Sequence, residues 1–262
     1  MDVKPVAVVT GAARGIGAAT VRGLARAGWC VVAVDRCADD AAVPYPLATS
    51  DDLDAVVASA GPDAVGAIAD VRDPAALSRI VADAEARFGG VDAAVAAAAV
   101  MAGGAPAWEV SPDAERAVLD VDLGGVLALA RSSVPAMLRR PAPRRGRFLA
   151  VASAADTRGL PMLAAYCAAK AGVAGYVRAL AVELGAHGIT ANAVSPGSTE
   201  TEMLDATAEL YGLPASGSFA DQQPIRRLLS PEEIARVLVF LADASSGGIT
   251  GAVVRVDGGL SL

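Results

Sequence analysis

Residues 5–35 are PVAVVTGAARGIGAATVRGLARAGWCVVAVD, and this stretch predicts the fold of the whole chain. Pro5–Thr10 is a short β-branched apolar run, which predicts a buried strand. Ala18–Gly28 has the apolar spacing of a helix, and Cys30–Asp35 predicts a second buried strand that ends in an acid. A glycine-rich turn joins the first strand to the helix. Together they predict a βαβ unit of about thirty residues, the usual size.

Strand-like and helix-like segments continue to alternate through the 262 residues. This pattern predicts an α/β fold: a Rossmann-type three-layer sandwich with a doubly wound, seven-stranded parallel sheet and helices on both faces. Because no linker or repeat interrupts the pattern, we predict a single domain over residues 1–262. Further strands are expected at 65–69, 91–98, 147–152, 189–194 and 252–256. Further helices are expected at 51–60, 73–88, from 111, and at 120–138, 163–185 and 230–243.

Composition argues against several classes of function. The net charge of −7 argues against nucleic acid as a partner. No apolar run is long enough to cross a membrane. Three cysteines without metal-ligand spacing and a single histidine predict no metal site. The odd number of cysteines, and the absence of a charged leader before the first strand, favour a cytoplasmic location. The basic run 139–145 predicts a solvated surface loop.

The turn Thr10–Gly17 (TGAARGIG) lies between a strand and a helix, where a dinucleotide fingerprint is expected. Glycines at such a turn let the backbone approach a diphosphate, whose charge then faces the amino end of the helix. We therefore predict a cofactor diphosphate at this turn, contacted by Gly11, Arg14, Gly15, Ile16 and Gly17.

The acid at the end of the second strand indicates which dinucleotide binds. Asp35 follows the glycines by about twenty residues, where a carboxylate accepts hydrogen bonds from the adenosine ribose. It would repel a 2′-phosphate and so favours NAD, although the neighbouring Arg36 is able to hold a phosphate. Asp70, after the third strand, either faces the adenine or caps the next helix.

The segment 163–170 (LAAYCAAK) places Tyr166 and Lys170 one helical turn apart on the same face. Lysine is scarce in this chain, since Lys4 is the only other one. Ser153 ends the fifth predicted strand, at the sheet edge where ligands of open α/β sheets bind. Such a lysine favours the phenolate of the tyrosine, which makes Tyr166 a candidate general base.

The glycine turn, Ser153 and the Tyr-x-x-x-Lys helix, in this order and spacing, resemble the short-chain dehydrogenase/reductase family over essentially the whole chain. The resemblance implies an NAD-dependent enzyme acting on CH–OH groups, and also a homotetramer. It implies that Tyr166 takes the proton of the alcohol, that Ser153 holds the alcohol oxygen and that Lys170 holds the ribose hydroxyls. It also implies that Pro196 and Gly197 border the nicotinamide. It further implies cofactor contacts from Asp35, Arg36, Asp70, Val71, Ala97, Tyr166, Thr199 and Thr201.

Two positions depart from the family pattern. The family usually has Asn-Asn-Ala-Gly after the fourth strand, where this chain has Ala96–Ala99. The family also has an asparagine in the following helix that relays protons through water to the lysine, and Asp122 stands there instead. We count Asp122 as a catalytic candidate, because a carboxylate is able to accept a hydrogen bond from Lys170 or from water.

Residues 36–50 (RCADDAAVPYPLATS) form a longer connection than most in such folds. They resemble the insertion of the mycofactocin-associated members of the family. That resemblance implies a lid over an NAD that stays bound and is re-oxidised by mycofactocin, with Tyr45, Pro46 and Leu47 over the adenosine half. The alternative is an ordinary surface loop.

The favoured hypothesis is oxidation of a secondary or other small hydrophobic alcohol by a retained NAD. The alternatives are a conventional dehydrogenase or ketoreductase that exchanges its NAD, and a non-catalytic NAD-binding sensor. The substrate region is expected within 198–224, an irregular or partly helical segment. Its pocket is expected to be lined by residues near Met101, Leu160 and Met162 and by the segment 200–224, in which Met203, Leu204 and Tyr211 are apolar.

Overall fold

The computed structural model describes residues 4–262 and contains seven strands and eight α-helices within them. The strands are β1 (Val6–Thr10), β2 (Cys30–Asp35), β3 (Ala64–Ile68), β4 (Ala93–Ala96), β5 (Arg147–Val151), β6 (Thr190–Pro196) and β7 (Val253–Val256). The helices are α1 (Gly15–Arg26), α2 (Ser50–Ala60), α3 (Pro74–Phe88), α4 (Pro112–Val118), α5 (Gly125–Arg139), α6 (Ala164–Leu184), α7 (Glu202–Leu210) and α8 (Pro231–Ala242).

The strands form one parallel sheet in the order β3-β2-β1-β4-β5-β6-β7. Successive side chains of a strand point to opposite faces, so both faces need a cover. Val8 packs on one face in a core shared with α3, α5 and α6, and Val9 packs on the other with α1, α2 and α8. The prediction of a doubly wound seven-stranded sheet with helices on both faces is therefore confirmed.

The strand order reverses beside β1, which lies between β2 and β4. Helices after β1 and β4 cover opposite faces of the sheet, which leaves a crevice at the carboxyl ends of these strands. Ligands of open α/β sheets bind in this crevice. The glycine turn after β1, the acid that ends β2 and Ser153 after β5 all lie at this edge of the sheet.

Several predicted bounds were wrong by a few residues. Helix α1 begins at Gly15 rather than residue 18, because the glycine turn itself supplies the first helical turn. The predicted helix at 120–138 begins with a π-helical turn, Leu119–Gly124, before α5. Segment 198–224 contains α7 and a 3₁₀ turn at Ser216–Gln222, as its mixed pattern predicted.

Within residues 4–262, no helix is long and apolar enough to cross a membrane. The same residues contain no group of three or more His, Cys, Asp or Glu side chains placed to hold a metal ion.

Candidate active site

One cleft at the carboxyl edge of the sheet brings the predicted cofactor residues together. It extends from the glycine turn to the first turn of α6 and is bounded by the segment 36–50 on one side and α7 on the other. All the cofactor residues predicted from the sequence line it: Gly11, Arg14, Gly15, Ile16, Gly17, Asp35, Arg36, Asp70, Val71, Ala97, Tyr166, Lys170, Pro196, Gly197, Thr199 and Thr201.

The glycine turn is shaped for a diphosphate. A Cβ at Gly17 would overlap the carbonyl oxygen of Gly11, and a Cβ at Gly11 would press on the backbone of Ala98. Arg14, at the N-cap of α1, makes no side-chain capping hydrogen bond. The first N–H groups of a helix need an acceptor from outside the helix, and an anion at this end also interacts favourably with the helix dipole. The turn therefore fits the diphosphate of a dinucleotide.

The adenosine end of the cleft is acidic. The Asp35 carboxylate is oriented by the backbone N–H groups of Ala13 (3.0 Å) and Cys37 (3.4 Å). Arg36 is not free for a phosphate, because its guanidinium lies 2.6 Å from Asp40 and 3.4 Å from Asp70. Ribose hydroxyls suit this environment and a 2′-phosphate does not. The residues present therefore fit NAD rather than NADP.

Asp70 belongs to this network rather than to a helix cap. Its carboxylate is bound in a forked manner by the guanidinium of Arg72, and these charge-assisted bonds lie at 2.6–3.1 Å. Asp73 caps α3 instead, through the backbone N–H groups of Ala75 and Ala76. The capping alternative for Asp70 was therefore wrong.

The segment 36–50, here called the strap, contributes residues to one side of the cleft. The Pro46 carbonyl accepts a hydrogen bond from Arg14 (3.3 Å), whose guanidinium also pairs with Asp52 (2.9 Å). The Tyr45 hydroxyl accepts one from the backbone N–H of Met101 (3.1 Å). Val43 is buried in an apolar cluster against which Tyr45 and Tyr166 also pack. These contacts hold the segment beside the cleft.

The position of Tyr45 differs from the prediction. Tyr45, Pro46 and Leu47 all line the cleft, but Tyr45 extends to the segment after β4 rather than over the adenosine half. The sequence contains no signal for this contact, because the contact depends on where two remote loops meet. Burial raises the pKa of the Tyr45 phenol, which keeps it neutral.

Ser153, Tyr166 and Lys170 line the same wall of the cleft. Ser153 follows β5, and its hydroxyl accepts a hydrogen bond from the backbone N–H of Ala155 (3.2 Å). Tyr166 lies in the first turn of α6, and the Lys170 ammonium lies 5.4 Å from the centre of its ring. The wall therefore presents a hydroxyl, a phenol and an ammonium side by side.

Behind this wall, Lys170 forms an ion pair with the completely buried Asp122. Nζ of Lys170 lies 3.1 Å from Oδ2 of Asp122 and donates a hydrogen bond to the Val151 carbonyl (3.3 Å). Oδ1 of Asp122 accepts from the backbone N–H of Val100 (2.8 Å). The π-helical turn carries Asp122, and such turns occur often at functional sites. Asp122 does not line the cleft itself.

Burial and charge act on these groups in opposite directions. Burial raises the pKa of the Tyr166 phenol above its usual value and Asp122 adds to this, whereas Lys170 and Ser153 oppose the rise only in part. Burial lowers the pKa of Lys170, but the charges of Asp122 and Tyr166 outweigh it and hold this pKa above its usual value. Lys170 is therefore an ammonium at neutral pH. The sequence suggested a phenolate-favouring lysine, but it gave no sign that Asp122 and burial oppose it.

The far end of the cleft is mostly apolar. Met101, Leu160, Met203 and Leu204 line it as predicted, and Leu163 and Phe219 join them. Met162 and Tyr211 do not line it, although nearby Leu163 and other residues of the segment 200–224 do. Tyr211 donates its hydroxyl to the Pro161 carbonyl (2.6 Å), which ties the end of α7 to the loop before α6. One cation that the sequence analysis missed, Arg158, lines this end as well.

Known proteins resemble this chain over nearly its full length. The family model described as enoyl-(acyl carrier protein) reductase matches residues 11–261. The cis-4-hydroxycyclohexanecarboxylate dehydrogenase of Sinomonas cyclohexanicum is 38% identical over 256 residues, which cover 97% of this chain and 95% of that protein. An uncharacterized NAD-dependent oxidoreductase of Mycobacterium tuberculosis is 35% identical over 263 residues, which cover 97% of this chain and 94% of that protein.

A solved structure supports the same relationship. The carveol dehydrogenase of Mycobacterium avium in complex with NAD has a TM-score of 0.92 to this chain, with 30% identity, and the match covers 98% of this chain and 97% of that one. Together with the glycine turn and the acid that ends β2, these matches confirm the predicted cofactor. The chain belongs to the short-chain dehydrogenase/reductase family, as an NAD-dependent oxidoreductase that acts on alcohol groups.

Proposed function

We propose that this enzyme oxidises a cyclic, largely apolar secondary alcohol to a ketone, with an NAD that stays under the strap 36–50 and is re-oxidised by mycofactocin. The observation that carries the proposal is the single cleft in which Ser153, Tyr166 and Lys170 stand between the glycine turn and an apolar end. A bound NAD supplies the hydride acceptor there.

The chain's own residues handle the proton and the substrate oxygen. The Ser153 hydroxyl holds the alcohol oxygen by a hydrogen bond, and the Tyr166 phenolate takes its proton as general base. The Lys170 ammonium favours that phenolate, because an opposite charge stabilises the charged form of a buried group. Proton transfer of this kind contributes about 10²–10⁴-fold to a rate.

Asp122 holds Lys170 in place for this task. Its carboxylate is fixed by the backbone N–H of Val100 and lies 3.1 Å from the ammonium. A direct ion pair thus stands where the family pattern has an asparagine and a water. We assign Asp122 the role of a positioning residue that keeps Lys170 charged.

Two observations support a cyclic substrate. The substrate end of the cleft is lined by broad apolar side chains, including Leu163 and Phe219. In addition, two of the three relatives described above are dehydrogenases of cis-4-hydroxycyclohexanecarboxylate and of carveol. Burial of a ring in such a pocket contributes about 25 cal/mol per Å² of apolar surface.

The strap supports retention of NAD. It is anchored on the diphosphate side by the Pro46 carbonyl and on the substrate side by the Tyr45 hydroxyl, so an NAD beneath it leaves only after both contacts break. A cofactor that stays bound needs a second electron acceptor, and we assign this role to mycofactocin. A conventional enzyme with an exchangeable NAD is the second candidate, because Pro46 and Tyr45 each anchor the strap by a single hydrogen bond.

We further propose that the enzyme works as a cytoplasmic homotetramer. Exposed apolar side chains on α6 and α8, Val182 and Phe240, support contacts with other copies. Burial of such residues between copies would remove their apolar surface from water.

The test begins with the nucleotide. Purified protein is denatured, the released nucleotide is identified, and the native protein is then given cyclic alcohols with either free NAD or an artificial electron acceptor. We expect about one NAD per chain, as one site implies, and turnover with the acceptor alone. Turnover that requires added NAD would favour the exchanging enzyme. Tyr166→Phe is the control, and if it keeps its NAD and no alcohol reacts with either protein, the sensor hypothesis replaces ours.

A further inference from the structure

A second cleft lies at the opposite edge of the sheet, where β5 and β6 begin. It is lined by the ends of three connections: 144–147, which leads into β5, 185–190, which leads into β6, and 244–250, which follows α8. Strand β5 also carries Ser153 beyond its other end, so the two clefts are separated by a strand of about 20 Å. Three of the residues that line this second cleft are arginines, in a chain whose net charge is −7.

The first of these, Arg147, is buried without an acidic partner. Only 2% of it is exposed, and its guanidinium donates to the backbone carbonyls of Asp243 (3.3 Å), Gly146 (2.9 Å) and Ala244 (3.2 Å). The Asp243 carboxylate turns away to the backbone N–H of Ser245 (2.7 Å). A guanidinium has five N–H donors, so two remain. A buried charge without a counterion is unfavourable and attracts an anion.

The other two arginines are also without ion pairs in the described part of the chain. Arg144 donates its Nε to the Leu138 carbonyl (2.9 Å), and Arg145 is exposed. The same basic run contains Arg139 and Arg140, and these do pair, with Glu85 and Asp92. The unpaired charges of the run are thus concentrated at the cleft.

A buried hydroxyl in the cleft has no partner either. Thr190, the first residue of β6, is 6% exposed, and its Oγ1 makes no hydrogen bond within residues 4–262. Buried polar groups are normally hydrogen-bonded, so an unpartnered one calls for an explanation. Gly185, Gly188 and Gly247 also line the cleft, and a Cβ at Gly247 would lie 3.3 Å from the guanidinium of Arg147.

We propose that this second cleft is a binding site for a small oxyanion of the phosphate class. Arg144 and Arg145 contact the oxyanion from the open side, the buried Arg147 supplies charge from the floor, and Thr190 donates its hydroxyl. Arginine suits this role because its planar fork matches the oxygens of a phosphate. The site lies outside the catalytic cleft, so a bound anion leaves the alcohol and NAD positions free.

The test uses inorganic phosphate on NAD-saturated enzyme, because NAD then fills the glycine turn, the other phosphate-binding feature of the chain. Calorimetric titration at low ionic strength is expected to show one saturable site per chain. Arg145→Gln and Arg144→Gln are expected to weaken it by about tenfold each, since each removes one charge-assisted contact. Arg139→Gln is the matched control: it removes the same charge from the same run outside the cleft, and it is expected to leave the affinity unchanged.

Thr190→Val tests the floor of the cleft without removing a charge. It replaces an unpartnered hydroxyl by a methyl group of similar size, so the protein is expected to stay folded and to bind phosphate several-fold more weakly. Absence of saturable binding by the wild-type enzyme would overturn the proposal. Equal weakening by Arg139→Gln and Arg145→Gln would also overturn it, because binding would then reflect surface charge alone.

Discussion

The two ends of β5 each have a buried cation beside them, and the two cations are compensated in opposite ways. Lys170, beside the carboxyl end, is 2% exposed and lies 3.1 Å from the carboxylate of Asp122. Arg147, at the amino end, is equally buried but has only backbone carbonyls as acceptors. A fixed internal counterion keeps a cation charged and shifts the pKa of neighbouring groups, whereas an uncompensated cation can receive an anion from solution. Lys170 therefore suits a role in proton transfer, and Arg147 suits the binding of an anion.

The largest expected effect is a loss of activity, and it is expected at the carboxyl end of β5 but not at its amino end. Tyr166→Phe is expected to lower kcat/KM for the alcohol by about 10²–10⁴-fold, because it removes the general base. NAD content is expected to change little, since the glycine turn and Asp35 are still present to hold the diphosphate and the adenosine ribose. Steady-state kinetics and nucleotide analysis check this. Arg145→Gln, in the second cleft, is the control and is expected to keep full activity. Equal loss in both variants would break the comparison.

Removal of Asp122, the counterion of Lys170, is expected to destabilise the protein strongly. Asp122→Leu leaves Lys170 buried and unpaired, which costs about 3–5 kcal/mol of the free energy of unfolding. The double variant Asp122→Leu/Lys170→Met removes both charges and is expected to recover much of this loss. Urea unfolding at one fixed protein concentration measures both variants. A double variant no more stable than the single one would mean that the charge of Lys170 is not the cause.

A milder change at the same position is expected to move the pH profile. Asp122 raises the pKa of Tyr166 and of Lys170, so Asp122→Asn is expected to lower both. Oxidation needs the Tyr166 phenolate. The acidic limb of the pH profile, along which kcat/KM rises with pH, is therefore expected to move to lower pH. Lys170 also loses its proton at a lower pH, so activity is expected to decline earlier on the alkaline side. A kcat/KM profile that keeps its position would contradict the role of Asp122.

The smallest expected effect concerns the strap. Tyr45→Phe removes the hydroxyl that accepts from the Met101 N–H, at a cost of about 1 kcal/mol. We expect a severalfold faster release of NAD with little change in the chemical step. Stopped-flow displacement of the bound nucleotide measures this, and Tyr176→Phe on α6 is a control outside both clefts. An unchanged release rate would show that the strap is held by its other contacts.

The sequence predicted the features that depend on local pattern. Strand and helix periodicity placed the sheet, and the glycine turn, Asp35 and the Tyr166–Lys170 spacing placed the cleft, because each is encoded in a short stretch. The π-helical turn at Asp122 escaped prediction, since one extra residue per turn leaves the apolar spacing almost unchanged. The contact between Tyr45 and Met101 escaped it too, as did the burial of Arg147, because both depend on how remote segments meet.

The most direct test of the account is a single turnover of the bound NAD. Enzyme that contains its own NAD, with no free nucleotide, is mixed rapidly with 4-hydroxycyclohexanecarboxylate or carveol, and the absorbance of reduced nicotinamide is followed. We predict that one or both alcohols give a burst of about one reduced nicotinamide per chain, as one site requires, and that Tyr166→Phe gives none. A burst of equal size and rate in Tyr166→Phe would contradict the account, because the proton would then leave by a route that does not use this residue.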